Sequence, residues 1–148
     1  MESTEIIAKL PYSEPFLFAD EILSVSSEMI TGNYTFKRDS YFYKGHFKNY
    51  PITPGVILTE CMAQIGLVCF GIFLLKDEQI EENRSFALSS TEIDFFKPVF
   101  PNEKVTVVSE KIYFRFNKLK CKVKMLNSKD QTIAHGTISG MLLIESKN

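Results

Sequence analysis

One run constrains the fold more than any other: residues 56–75, "VILTECMAQIGLVCFGIFLL". As a helix, about twenty apolar residues are long enough to cross a bilayer. But Glu60 and Gln64 lie inside the run, and a charge at that depth is costly in lipid. There is also no basic flank before it, only Lys48 at a distance. The run therefore reads as a helix covered by protein on nearly all sides, and no membrane span is expected. Pro54 suits the first turn of that helix, where a missing N–H costs nothing. The helix is expected to reach about Lys76, roughly 30 Å at 1.5 Å per residue.

The rest of the chain must supply the cover. "FLFADEILSVSS" and "MITGNYTFKR" read as two strands with a turn near Ser26 to Glu28. A short helix is expected over Thr4 to Lys9, before a loop bounded by Pro11 and Pro15. After the polar link "KDEQIEENR" come "SFALSSTEIDFF", "KVTVVSEKIYFRF" and "TIAHGTISGMLLIE", all strand-like, with turns at "FPNE" and "NSKD". Between the last two, Leu119, Cys121, Val123 and Met125 alternate with Lys118, Lys120, Lys122 and Lys124, the mark of a strand with one wet face. The lysines read as a solvated face, with an acidic-partner surface as the alternative. The layout is α+β: one antiparallel sheet wrapped around one long helix, in a single domain over residues 1–148.

A chain of 148 residues buries roughly 70% of its unfolded surface and needs no disulfide or metal staple. The three cysteines, Cys61, Cys69 and Cys121, form no CxxC pair and sit among apolar residues. They read as reduced thiols of a cytoplasmic protein. The N-terminus, "MESTEIIAKLPYSEP", lacks the long apolar core of a signal peptide. Net charge is −1, so nothing in the overall balance points to nucleic acid.

Chemistry concentrates in "GHFKNYPITPGVILTECMAQ", residues 45–64. At 100° per residue Glu60, Gln64 and Gly71 share a strip about 40° wide on the helix. A buried carboxylate tends to hold its proton to higher pH, as a general acid at neutral pH must. The alternative is a structural pairing with a buried base or backbone group. His46 lies in the loop before the helix, and a neutral imidazole can act as a base. The N–H groups around Gly55 and Val56 stand free at the positive end of the helix dipole, and Gly55 leaves room for a carbonyl oxygen to approach. A base, an acid and a carbonyl-polarising helix end suit removal of water from a β-hydroxy carbonyl compound. His135, the second histidine, reads as structural or exposed.

The pattern "GHF…P…PGV…ECMAQ" resembles the signature of the FabZ-type 3-hydroxyacyl-[acyl-carrier-protein] dehydratases, which have the hotdog fold. "LPYSEPFLFADEIL" and "IDFFKPVFPNEKV" are similar to flanking segments of that family, in the same order. Tyr12 and Thr53 differ from it: the family usually has histidine at the first position and a larger apolar residue at the second. The resemblance implies that His46 and Glu60, fourteen residues apart, form the catalytic pair. It implies that Gly55 and Val56 bind the thioester at the helix end, and that Gln64 supports the site. It further implies a homodimer in which His46 of one subunit meets Glu60 of the other across an apolar acyl tunnel. Larger assemblies, a trimer of dimers or a heteromer with a related dehydratase, are compatible with it. No metal or organic cofactor is implied, because the substrate rides on the phosphopantetheine of an acyl carrier protein. Fatty acid synthesis and aryl polyene or flexirubin-type pigment assembly both use such enzymes. The alternatives are a hotdog thioesterase, in which Glu60 would direct water, and a non-catalytic acyl-binding subunit. The His46–Glu60 pair argues against both.

Overall fold

The computed structural model describes residues 1–78 and 85–143. A short helix α1 (Ser3–Ala8) leads to strands β1 (Glu21–Val25) and β2 (Met29–Thr35). A 3₁₀ turn, Tyr41–Lys44, precedes the central helix α2 (Gly55–Leu74). Four strands follow: β3 (Ser85–Phe95), β4 (Lys104–Arg115), β5 (Lys118–Leu126) and β6 (Thr132–Leu143). They make one antiparallel six-stranded sheet in the order β1-β2-β4-β5-β6-β3. The expected α+β layout is therefore observed. The polar link 76–84 lies mostly outside the described residues, as does the expected end of the last strand at 144–145.

The sheet curls around α2. The run that is long enough to span a membrane is instead the core helix, with 72% of its most apolar 18-residue window buried inside the protein. Ile57, Leu58, Met62, Ile65, Val68 and Phe70 are all buried. On β5 the alternation holds without exception: Leu119, Cys121, Val123 and Met125 are buried, while Lys122 and Lys124 are exposed and Lys118 and Lys120 half-buried. All three cysteines are free and buried. Burial pushes their thiols up, to about 11 for Cys121, so they are poor nucleophiles.

Two expectations need correction. First, the strand expected over 16–27 is a strand only over Glu21–Val25. The Phe16–Phe18 stretch is bonded to α2 rather than to a neighbouring strand. Gln64 Nε2 donates to Phe16 O (3.0 Å), Phe18 N–H donates to Gln64 Oε1 (2.7 Å), and Cys61 Sγ–H donates to Phe18 O (3.3 Å). A side chain on the helix thus satisfies backbone groups that a strand ladder would otherwise use.

Second, α2 is not uniform. Gln64–Cys69 is π-helical between two α-helical segments, and its wider turns rotate all that follows. Gly71 consequently leaves the polar strip with Glu60 and Gln64. It packs on Phe86 of β3, where an added Cβ would collide with the ring. Ser109 of β4, fully buried, donates to the Gly66 carbonyl (2.8 Å) inside the π segment.

Candidate functional site

The loop from Gly45 to Pro54 is shaped by backbone bonds. Ile52 N–H donates to His46 O (2.9 Å), and Phe47 and Tyr50 exchange bonds of 2.8 and 3.1 Å. The tightness rests on Asn49, whose φ of 60° lies in the left-handed region that Asn tolerates. The His46–Phe47 peptide is cis, and the two rings stack with centroids 3.9 Å apart. His46 Nδ1 lies 2.8 Å from the Ile52 carbonyl oxygen. A carbonyl can only accept, so this bond places the neutral imidazole's proton on Nδ1 and leaves the Nε2 lone pair available as a base.

A hollow of about 310 Å³ opens beside His46. Thr53, Gly55 and Leu58 also line it, as do Phe95 at the end of β3 and Phe96 and Lys97 just after it. The start of α2 faces this space through Gly55. Ile57 and Leu58 N–H groups both donate to Pro54 O, whereas the Gly55 and Val56 N–H groups have no backbone partner among the described residues. An added Cβ at Gly55 would meet the Phe95 ring at 3.5 Å, ordinary contact. The glycine is therefore not demanded by packing, and what it leaves is room in the hollow. Thr53 is buried and shares a 2.6 Å hydrogen bond with the Tyr43 phenol. A larger apolar residue there could not make that bond.

Glu60 occupies different ground. Five residues beyond Gly55 on the helix, it is half-buried and is not among the residues lining the His46 hollow. Gln64, fully buried one turn later, donates to Glu60 Oε1 (3.2 Å) while also holding Phe16 and Phe18. Every polar atom of Gln64's amide is thus engaged, which fixes its rotamer and with it one oxygen of Glu60. Burial raises the Glu60 carboxyl above its ordinary range, and the Gln64 bond offsets this in part. Tyr12 lies close enough to feel the Glu60 charge. Burial first, then Glu60, pushes its phenol up to about 12.

The sequence-derived residues therefore fall into two groups within one chain. His46 and Gly55 share a hollow; Glu60 and Gln64 share a hydrogen-bonded cluster with the Tyr12–Phe18 segment. The Val56 side chain belongs to neither, the residue being 76% exposed, so that only its N–H at the helix start remains of the expected role. The residue reading missed Ile52, whose role is a backbone carbonyl and so leaves no trace in residue type. It also missed Phe95 and Phe96, although a paired aromatic before "KP" was visible. His135 is exposed, with its ring 4.9 Å from that of Phe96.

A six-stranded antiparallel sheet curled around one long helix, with polar groups at the helix start, defines a hotdog-fold domain. Comparison with known proteins agrees. The family model described as "FabA-like domain" matches residues 10–137, and the chain belongs to that family. A 3-hydroxyacyl-[acyl-carrier-protein] dehydratase FabZ of Ehrlichia ruminantium (strain Welgevonden) is 36% identical, over 88% of this chain and 88% of the relative. A protein of the same name from a Wolbachia of Drosophila simulans is 30% identical over 94% of each. Among solved structures, the PaaI protein of E. coli superposes with a TM-score of 0.63 at 12% identity, covering 93% of this chain and 90% of that one. A thioesterase from Haemophilus influenzae gives 0.60 at 13%, covering 83% and 77%. At such identities the two structures speak for the fold alone.

Proposed function

We propose that this protein dehydrates a (3R)-3-hydroxyacyl group, carried as a thioester on acyl carrier protein, to the trans-2-enoyl thioester. The family relationship supports the reaction, and the observation that carries the residue assignment is the His46 Nδ1 bond to Ile52 O. It leaves Nε2 free to take the α-proton. As that C–H bond breaks, its electrons form the Cα=Cβ bond and the C–O bond to the 3-hydroxyl breaks. Glu60, held in a setting that favours its protonated form, gives its proton to the departing oxygen, which leaves as water. The Gly55 and Val56 N–H groups stabilise the negative charge that builds on the thioester oxygen. The mechanism uses only these side chains and the helix end. Water elimination from the acyl carrier substrate serves fatty acid synthesis, and the buried reduced thiols suit a cytoplasmic setting.

Glu60 does not line the His46 hollow of its own chain, which favours a site completed by a second copy. The outer edge of β3 supports a homodimer. It is eleven residues long and, among the described residues, pairs with β6 alone. It exposes Leu88 and Phe95, with Phe96 just beyond. Such an edge is a template for pairing with another chain, and pairing there would carry each His46 hollow towards the partner.

His46→Ala or Glu60→Gln is expected to lower turnover by ~10²–10⁴-fold, the scale of a lost proton-transfer group. Mixing the two inactive proteins under subunit exchange should restore roughly a quarter of wild-type activity, since about half the dimers are mixed and each holds one intact site. Near-normal turnover by either variant rejects that residue. No recovery despite confirmed exchange rejects the shared site.

A further inference from the structure

A second depression, of about 290 Å³, neighbours the His46 hollow. It is lined by the aromatic residues Tyr43, Phe47 and Tyr50 together with Arg38, Lys44 and one carboxylate, Asp39. The two spaces share a wall. Tyr43 lines the depression and is bonded to Thr53, which lines the hollow. Phe47 lines the depression and stacks on His46, which lines the hollow. Arg38 and Lys44 are exposed, and neither forms an ion pair with a described residue. Two cations that share a lining with aromatic rings and make no ion pair among the described residues, one of them a planar guanidinium, suit a phosphate group.

From this we propose that Arg38 and Lys44 bind the phosphate of the phosphopantetheine arm, so that the arm crosses the Phe47 rim and delivers its thioester to the His46 hollow. The inference rests on the dehydratase reading of that hollow. The pantetheine part of the arm is neutral, so its terminal phosphate is the one group two cations can select. A concave site of this size suits a single small anion better than the broad surface of a protein. The same phosphate occurs on the carrier and in coenzyme A, and the assay separates them.

The test compares 3-hydroxyacyl thioesters of holo-carrier, coenzyme A, 4′-phosphopantetheine and phosphate-free pantetheine. With the native protein, the phosphopantetheine thioester should show a KM ~10-fold below that of the pantetheine thioester, a gap that narrows with salt. Arg38→Ala with Lys44→Ala should close the gap by raising KM for the carrier and phosphopantetheine thioesters without changing their kcat. Arg38→Lys should restore part of it, and Asp39→Asn should widen it. An equal rise for the pantetheine thioester, no rise at all, or a rise confined to coenzyme A or to the carrier would each overturn the proposal. If the native protein turns over none of these thioesters, the dehydratase reading fails, and the site is judged by calorimetry with 4′-phosphopantetheine and pantetheine. Tighter binding of the phosphorylated compound that disappears in the double variant upholds the site; equal binding rejects it.

Discussion

Strands β5 and β3 lie on either side of β6, yet they solve opposite problems. β5 has neighbours on both edges, and its residues alternate strictly between core and water. Among the described residues β3 has one neighbour, and Leu88–Glu92 are five consecutive exposed residues. A strand whose pattern is complete is satisfied within its own chain. One that leaves Leu88 and Phe95 in water, with an edge unpaired among the described residues, offers a template for further pairing. The difference teaches that the buried alternation of the protomer is centred on β5, whereas β3, next to the His46 hollow, keeps apolar side chains and a backbone edge in water.

The comparison breaks most violently in β5. Val123→Asp places an unpaired carboxylate in the sealed core, costs several kcal/mol, and should leave no cooperative unfolding transition by circular dichroism. Met125→Ala is gentler, about 2–5 kcal/mol by urea denaturation. A fully active, normally stable Val123→Asp protein would deny that β5 is the core strand.

On β3 a charge should act on assembly rather than on folding. Leu88→Lys is expected to shift sedimentation towards monomer and to remove activity in step. The protomer's own stability should move by no more than about 0.5 kcal/mol, as for other surface changes. An intact, active dimer would place the interface elsewhere.

Glu60 lies between these extremes, half-buried with one partner. Its folded-state carboxyl holds its proton to higher pH than the unfolded chain does. Between the two titrations the folded state binds more protons, so stability should fall as pH rises from about 4.5 through the folded value. Glu60→Gln should flatten that part of a stability–pH curve, and an unchanged curve would show that the carboxyl is not raised. The smallest effect is reserved for the wet face of β5. Lys122→Gln and Lys124→Gln should each change stability by less than about 0.5 kcal/mol, and a larger loss would mean that these lysines do more than face solvent.

Much of this architecture was legible beforehand where a pattern repeats along the chain. The four buried residues of β5 follow from period two, and the buried helix follows from an apolar run too polar at Glu60 and Gln64 for lipid. The loop carrying His46 announced itself by Gly45, Pro51 and Pro54. The extent of β1 was not legible, because Phe16 and Phe18 have strand-like residue types but find their partner in a glutamine 46 residues further on for Phe18. Nor was the π segment, inside which Ser109 bonds Gly66 from another element.

By itself the sequence determined the fold class, the order of strands and helix, and the choice of His46, Gly55, Glu60 and Gln64 as the residues with chemistry to offer. These follow from local periodicity and residue type, which are properties of neighbours in the chain. Tertiary structure alone decided that His46 donates to the Ile52 carbonyl, that Gln64 spends its whole amide on Phe16, Phe18 and Glu60, and that Gly71 turns away to Phe86. It also decided that Glu60 is left out of the lining of the His46 hollow. The physical reason is that each buried donor or acceptor must find a partner, and the nearest one in space is set by packing between distant segments rather than by distance along the sequence.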